Sequence, residues 1–185
     1  MSRRDNQDIK DYINSTSLED SVKVFYSFWK ARPLYGPNSV MLRTVGDKFQ
    51  GVTSYQKHYF DEFRGKEAMT EFAEFCDALK EFDTSKTREN LIEVILEAGD
   101  VLFQSIVLDL RYKENEQYSF ARNQMDTALS YIKNELNRRG LSMETVTRIA
   151  KVKYGVRSWE CLKELPSKDK DLEKQLCLEE LVNLQ

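Results

Sequence analysis

With 31 acidic and 28 basic side chains among 185 residues, the chain carries a formal net charge of −3, too close to balance for a broadly basic nucleic-acid surface or an acidic tail. Three cysteines and one histidine exclude a disulfide framework, a cysteine zinc site and a ferritin-like di-iron centre, which needs two Glu-x-x-His elements. A charged fraction of 32% against 7 glycines and 3 prolines predicts an all-α helical bundle: one domain with appendages, large enough for a real core.

In chain order, residues 1–16 are polar and predict a frayed or short helix. No apolar stretch follows Arg3 and Arg4, so no secretory signal is expected. Ser17 is placed as an N-cap with Asp20 as its capping-box acid. Val22, Phe25, Phe28 and Trp29 then follow at helical spacing to about Lys30, and Pro33, Gly36 and Pro37 end the run. Residues 33–53 show no periodicity and predict a long loop. The aromatics Trp29, Tyr35, Phe49, Tyr55 and Tyr59 suit the core, although one of them could stack on a nucleotide base.

A helix is expected from about Ser54 to Phe82, bent near Gly65 and burying Phe72, Phe75, Cys76 and Leu79. Thr84, Ser85 and Thr87 close the connection and offer caps. From Leu91 to Leu110 the chain is apolar on almost every side, which marks a buried helix. The next helix carries Ala121, Met125, Ala128, Ile132 and Leu136 at steps of three and four, with Gly140 as its stop. Ser142 caps a shorter helix bearing Val146, Ile149, Ala150 and Lys153, and Gly155 is expected to end it. Beyond Pro166, the tail with Leu172, Leu176, Leu181 and Val182 is open to docking on the bundle, docking on a second subunit, or fraying. No run of roughly 18 apolar residues is present to span a membrane, and a reducing cytoplasm is the expected location.

The chemistry concentrates between residues 67 and 100. Glu67, Glu71 and Glu74 on one helix, and Glu93, Glu97 and Asp100 on the next, repeat at steps of four and three, so each trio shares a helical face. The second trio is flanked by Val94, Val101, Leu96 and Phe103. Burying unpaired carboxylates costs several kcal/mol each, so basic side chains or a divalent cation should face them. Gly99 costs a helix about 1 kcal/mol relative to alanine, and beside Asp100 it suggests close approach by a ligand or another backbone. No Walker-type or GxGxxG loop is present, and no cysteine has a nearby histidine. His58 is expected at the surface or partly packed.

The residues Glu71, Phe72, Ala73 and Glu74, followed by Glu97, Ala98, Gly99, Asp100, Val101, Leu102 and Phe103, resemble the MazG-like all-α nucleotide pyrophosphohydrolases. That superfamily also holds the all-α dimeric dUTPases and the phosphoribosyl-ATP pyrophosphohydrolases. Its signature is EExxE on one helix and ExxD on the next, and the KYGVR segment from Lys153 to Arg157 adds to the likeness, which covers roughly residues 55 to 160. The chain departs from the pattern at Thr70, in place of the first Glu, at Glu67, in place of a Lys, and at Val107, in place of an Asn.

The resemblance implies a four-helix catalytic core over 54–165, with a helical extension and loop over 1–53 and a tail helix over 166–185. It implies completion of the bundle by a homodimer or homotetramer. It makes Glu71, Glu74, Glu97 and Asp100 the catalytic metal ligands for Mg²⁺, or Mn²⁺, and Lys153 and Arg157 the donors to substrate phosphate. One of these acids, Glu74 first, or the accessory Glu67 or Glu93, is expected to polarise the attacking water. The implied reaction takes an NTP or dNTP to a monophosphate and pyrophosphate, with neither nucleic acid nor membrane as partner. A dUTPase-like or alarmone-directed relative, and a non-catalytic nucleotide- or partner-binding helical protein, are the alternatives.

Overall fold

A computed structural model describes residues 6–31, 53–112, 119–165 and 169–184, with the backbone alone at 28–31, 53–68, 110–112 and 119–121. Residues 33–52 of the expected loop, Tyr35 and Phe49 among them, Pro166, and the side chains of Phe28, Trp29, Tyr55, His58, Tyr59, Glu67 and Ala121 lie outside that description. Among the described residues there are seven helices and no strand. They are α1 (Asn6–Ser15), α2 (Leu18–Ala31), α3 (Thr53–Thr84), α4 (Arg88–Tyr112), α5 (Ser119–Arg138), α6 (Met143–Leu162) and α7 (Lys170–Leu184). None of them is long and apolar enough to cross a membrane.

Local chemistry sets most of the boundaries. The Ser17 hydroxyl accepts the Asp20 N–H at 3.1 Å, the Thr87 hydroxyl accepts the Asn90 N–H at 3.1 Å, and the Ser142 hydroxyl accepts the Thr145 N–H at 3.3 Å. Each satisfies a donor that the first helical turn leaves without a partner. At the end of α5, Gly140 adopts φ 73° and the Leu141 N–H returns to the Leu136 carbonyl at 2.9 Å, the left-handed stop that glycine favours. The α3–α4 hairpin is fastened by the Asn90 side chain, which donates to the Ser85 carbonyl at 2.7 Å. Arg139 grips both Asp83 oxygens, at 2.6 and 2.8 Å, joining the end of α5 to the end of α3.

Helices α4 and α6 form the centre. α4 packs against α2, α3, α5 and α6, and α6 against α1, α2, α4 and α7. The larger apolar cluster includes Phe75, Ile92, Ile95, Val101, Ile132, Leu136, Ile149, Val156 and Leu181. A second one joins Val22, Phe25 and Tyr26 of α2 to Phe103 and Val107 of α4 and Ala150 and Tyr154 of α6. Residues expected as an N-terminal extension therefore complete the packing around α4 and α6. The tail docks on the bundle: Leu172, Leu176 and Leu181 are buried, and Val182 alone of the expected four faces solvent.

Two glycines mark close helix crossings. A Cβ on Gly99 would lie 3.3 Å from the Ala150 Cβ, so the partner that Gly99 admits is helix α6. Gly155 overturns an expectation. It does not end its helix, which continues to Leu162. It lies where α1 crosses, and a Cβ there would stand 2.7 Å from Ile13 Cγ1. Its missing side chain makes room for a neighbour rather than for a turn.

Gly155→Ala gains about 1 kcal/mol of helix propensity but drives a methyl into Ile13, and overpacking of this kind costs about 1–3 kcal/mol. The expected net effect is a loss of about 1 kcal/mol in urea unfolding. The loss should shrink in an Ile13→Ala background, because that substitution removes the obstructing atom.

Candidate functional site

The crossing at Gly99 and Ala150 sets Asp100 of α4 beside Lys153 and Tyr154 of α6. Across the hairpin, Glu71 of α3 faces the same point. Glu71, Glu97 and Asp100 each bring one carboxylate oxygen to within 4.8 Å of the others, and all three are half-buried. One oxygen of Glu97, Oε2, is shielded from solvent and has no hydrogen-bond partner among the described residues. Buried polar atoms are normally satisfied, and this oxygen is an exception among the described residues. Three hard oxygen donors from two helices fit a magnesium-like cation, which takes carboxylates and keeps several waters.

Glu74 sits next to Glu71 within hydrogen-bonding reach but is exposed and is not one of the three converging acids. Three of the four expected ligands are therefore brought together, with the fourth at the rim. Glu93 is drawn off to the surface, 3.7 Å from Lys174 of α7. Glu67, whose side chain is not described, receives no placement.

The expected phosphate donors are both engaged internally. Lys153, 7% exposed, donates to Asp100 Oδ1 at 2.7 Å. Arg157 gives its Nε and Nη2 to the two oxygens of Glu173 at 3.1 and 3.2 Å. Its guanidinium lies 5.8 Å from the centre of the Phe25 ring and 5.5 Å from that of Tyr154. Burial disfavours the charge on Arg157, but Glu173, Tyr154 and Asp100 together outweigh it and hold its pKa above the ordinary value.

Tyr154 and Glu173 are the site residues that sequence reasoning missed. Tyr154 lies inside the KYGVR segment, and its hydroxyl donates to Asp100 Oδ1 at 2.6 Å. Burial first, and the Asp100 charge second, hold its phenol well above the ordinary range, so it remains a donor at neutral pH. Glu173 belongs to the tail helix and carried no signal beyond being an acid in a first helical turn.

The crowded acids resist ionisation. Burial, then Asp100, then Glu74 push the Glu71 carboxyl up to about 8. Burial, Asp100 and Glu74 push Glu97 up to about 7, against the lowering pull of Lys153. Without a cation, the recess is neutralised by retained protons and by the Lys153 ammonium. A divalent ion entering it would displace those protons, which links ion binding to pH. Comparison with protein-family models, with curated proteins and with solved structures finds no match.

Glu71 and Glu97 ionise near 4.5 when unfolded and at about 8 and about 7 when folded. The folded state thus holds more protons between those values, and the ion-free protein loses stability as pH rises from about 4.5 to about 8. Thermal unfolding in chelator across that range should show the decline. Glu71→Gln should flatten it, gaining roughly 1–2 kcal/mol at pH 8, the full shift being discounted for solvent screening of a half-buried group. Equal slopes in parent and variant would contradict this assignment.

Proposed function

We propose that the chain is a Mg²⁺-dependent pyrophosphohydrolase of nucleoside triphosphates on a MazG-like helical core, cleaving between the α- and β-phosphates to give a monophosphate and pyrophosphate. The observation that carries the reading is the convergence of Glu71, Glu97 and Asp100 within 4.8 Å, with a buried Glu97 oxygen that has no partner among the described residues. Acids in this arrangement suit a cation better than bulk water, and the resemblance in the acid motifs supplies the reaction.

Glu71, Glu97 and Asp100 hold the ion in this reading. A bound Mg²⁺ neutralises phosphate charge and lowers the pKa of a coordinated water. In this reading Glu74, exposed beside Glu71, takes the proton of the attacking water. Lys153 and Arg157 reach phosphate oxygens by exchanging an internal carboxylate, Asp100 for the first and Glu173 for the second. Cytoplasmic location and assembly into a homodimer or homotetramer belong to the same proposal. Supporting assembly is an open apolar groove of about 640 Å³ between α3 and α5, lined by Met69, Phe72, Cys76 and Tyr131 among others. Met69 and Tyr131 are each 45% exposed there, and such faces favour a partner surface.

One observation favours a second reading. Both cations expected for phosphate are already paired with the chain's own acids, which suits a non-catalytic helical protein that binds a nucleotide or a partner. A dUTPase-like or alarmone-directed preference is a variant of the first reading, set by residues outside the acid cluster.

Incubation of the purified protein with Mg²⁺ and a panel of NTPs and dNTPs, dUTP included, separates these possibilities. Monophosphate plus pyrophosphate from several substrates supports the leading proposal, and turnover of dUTP alone its narrower form. Thermal stabilisation without turnover supports the binding protein. Glu97→Gln and Asp100→Asn should each abolish turnover with helical content unchanged. Retention of activity in either variant would remove the basis for the assignment.

A further inference from the structure

The Asp100 carboxylate receives two donors on one oxygen. Lys153 Nζ at 2.7 Å and the Tyr154 hydroxyl at 2.6 Å both end on Oδ1. An ionised carboxylate offers about two acceptor positions per oxygen, so these bonds saturate Oδ1 and leave Oδ2 as the oxygen available to the acid cluster.

The two donors differ in kind. Lys153 ends a flexible four-carbon stem and carries a positive charge, so it competes with any cation in the recess. Tyr154 brings no charge, and its ring is held in place. It is 2% exposed, and it stacks on Phe103 with centroids 4.5 Å apart and planes 7° from parallel. It also lies 6.1 Å from the Phe25 ring of α2, with the Arg157 guanidinium 5.5 Å from its centroid. A hydroxyl fixed to so constrained a ring defines a direction that a lysine ammonium does not.

We infer that Tyr154 is a positioning residue: its hydroxyl locks the Asp100 side chain so that Oδ2 faces Glu71 and Glu97 and completes a divalent-cation site. This deepens the proposed function and rests on its reading of the acid cluster. Partners that orient a metal ligand through its second atom typically change ion affinity by about 10- to 100-fold. The stack also makes α2 a contributor, because Phe25 packs against both Phe103 and Tyr154.

The test uses the full chain and Mn²⁺ as the probe, with calorimetric titration of the parent, Tyr154→Phe and Glu97→Gln, and helical content measured by circular dichroism. Tyr154→Phe keeps the ring and its stacking and removes only the hydroxyl. The inference expects Mn²⁺ affinity to fall at least about tenfold with helical content unchanged. Parent-like affinity in Tyr154→Phe, beside lost binding in Glu97→Gln, overturns the role of Tyr154 and spares the cation site. A fall in affinity that comes with a loss of helical content also overturns it, since the hydroxyl would then only support the fold. If the parent binds no Mn²⁺, or Glu97→Gln binds it as well as the parent, the cation site itself fails and the inference falls with it.

Discussion

The close crossing of α4 and α6, at Gly99 against Ala150, is the contact on which the rest of the arrangement depends. Helix axes normally stand 8–10 Å apart, according to the size of the side chains between them, and here the contact is made by a glycine and an alanine. That nearness lets donors at residues 153 and 154 reach an acid at residue 100 directly. Around the same crossing, α2 adds Phe25 on one side of the bundle, and α7 adds Glu173 opposite Arg157. A larger residue at either position would separate the recess from the groups that hold it.

Electrostatics and packing pull in opposite directions at this point. The surrounding apolar residues Val94, Val101 and Phe103 are buried, which stabilises the bundle but leaves Glu71 and Glu97 poorly solvated. The chain answers with one ammonium and with retained protons, not with a full set of counter-charges. A recess of that kind is strained in charge, not in shape.

Much of the helical layout could be read along the chain, because caps and stops act over three or four residues: Ser17, Thr87, Ser142 and Gly140 all sit where they were expected. The acid steps were equally local. What could not be read was set at a distance. Glu71 and Glu74 share a face, but about 4.5 Å of helix rise separates them, and the path of α4 past α3 decides which of them converges with Glu97. Gly155 has the same local signature whether it stops a helix or admits a neighbour, and the choice depends on where α1 lands, more than a hundred residues earlier in the chain. The pairing of Lys153 with Asp100 and of Arg157 with Glu173 likewise follows from helix crossings, which spacing alone does not encode.

The three thiols occupy unequal surroundings. Cys177 is buried, donates weakly to the Ile149 carbonyl at 3.9 Å and, through burial first and Glu173 second, has its pKa pushed up to about 12. It therefore stays protonated and inert, whereas Cys76 and Cys161 are only half-buried. Cys76 lines the groove between α3 and α5, with burial holding its thiol above the ordinary range, and Cys161 lies beside the aromatic cluster of α2 and α6. A thiol reagent would thus report on how the bundle opens: modification of Cys177 requires α7 to leave its place, whereas modification of the other two does not.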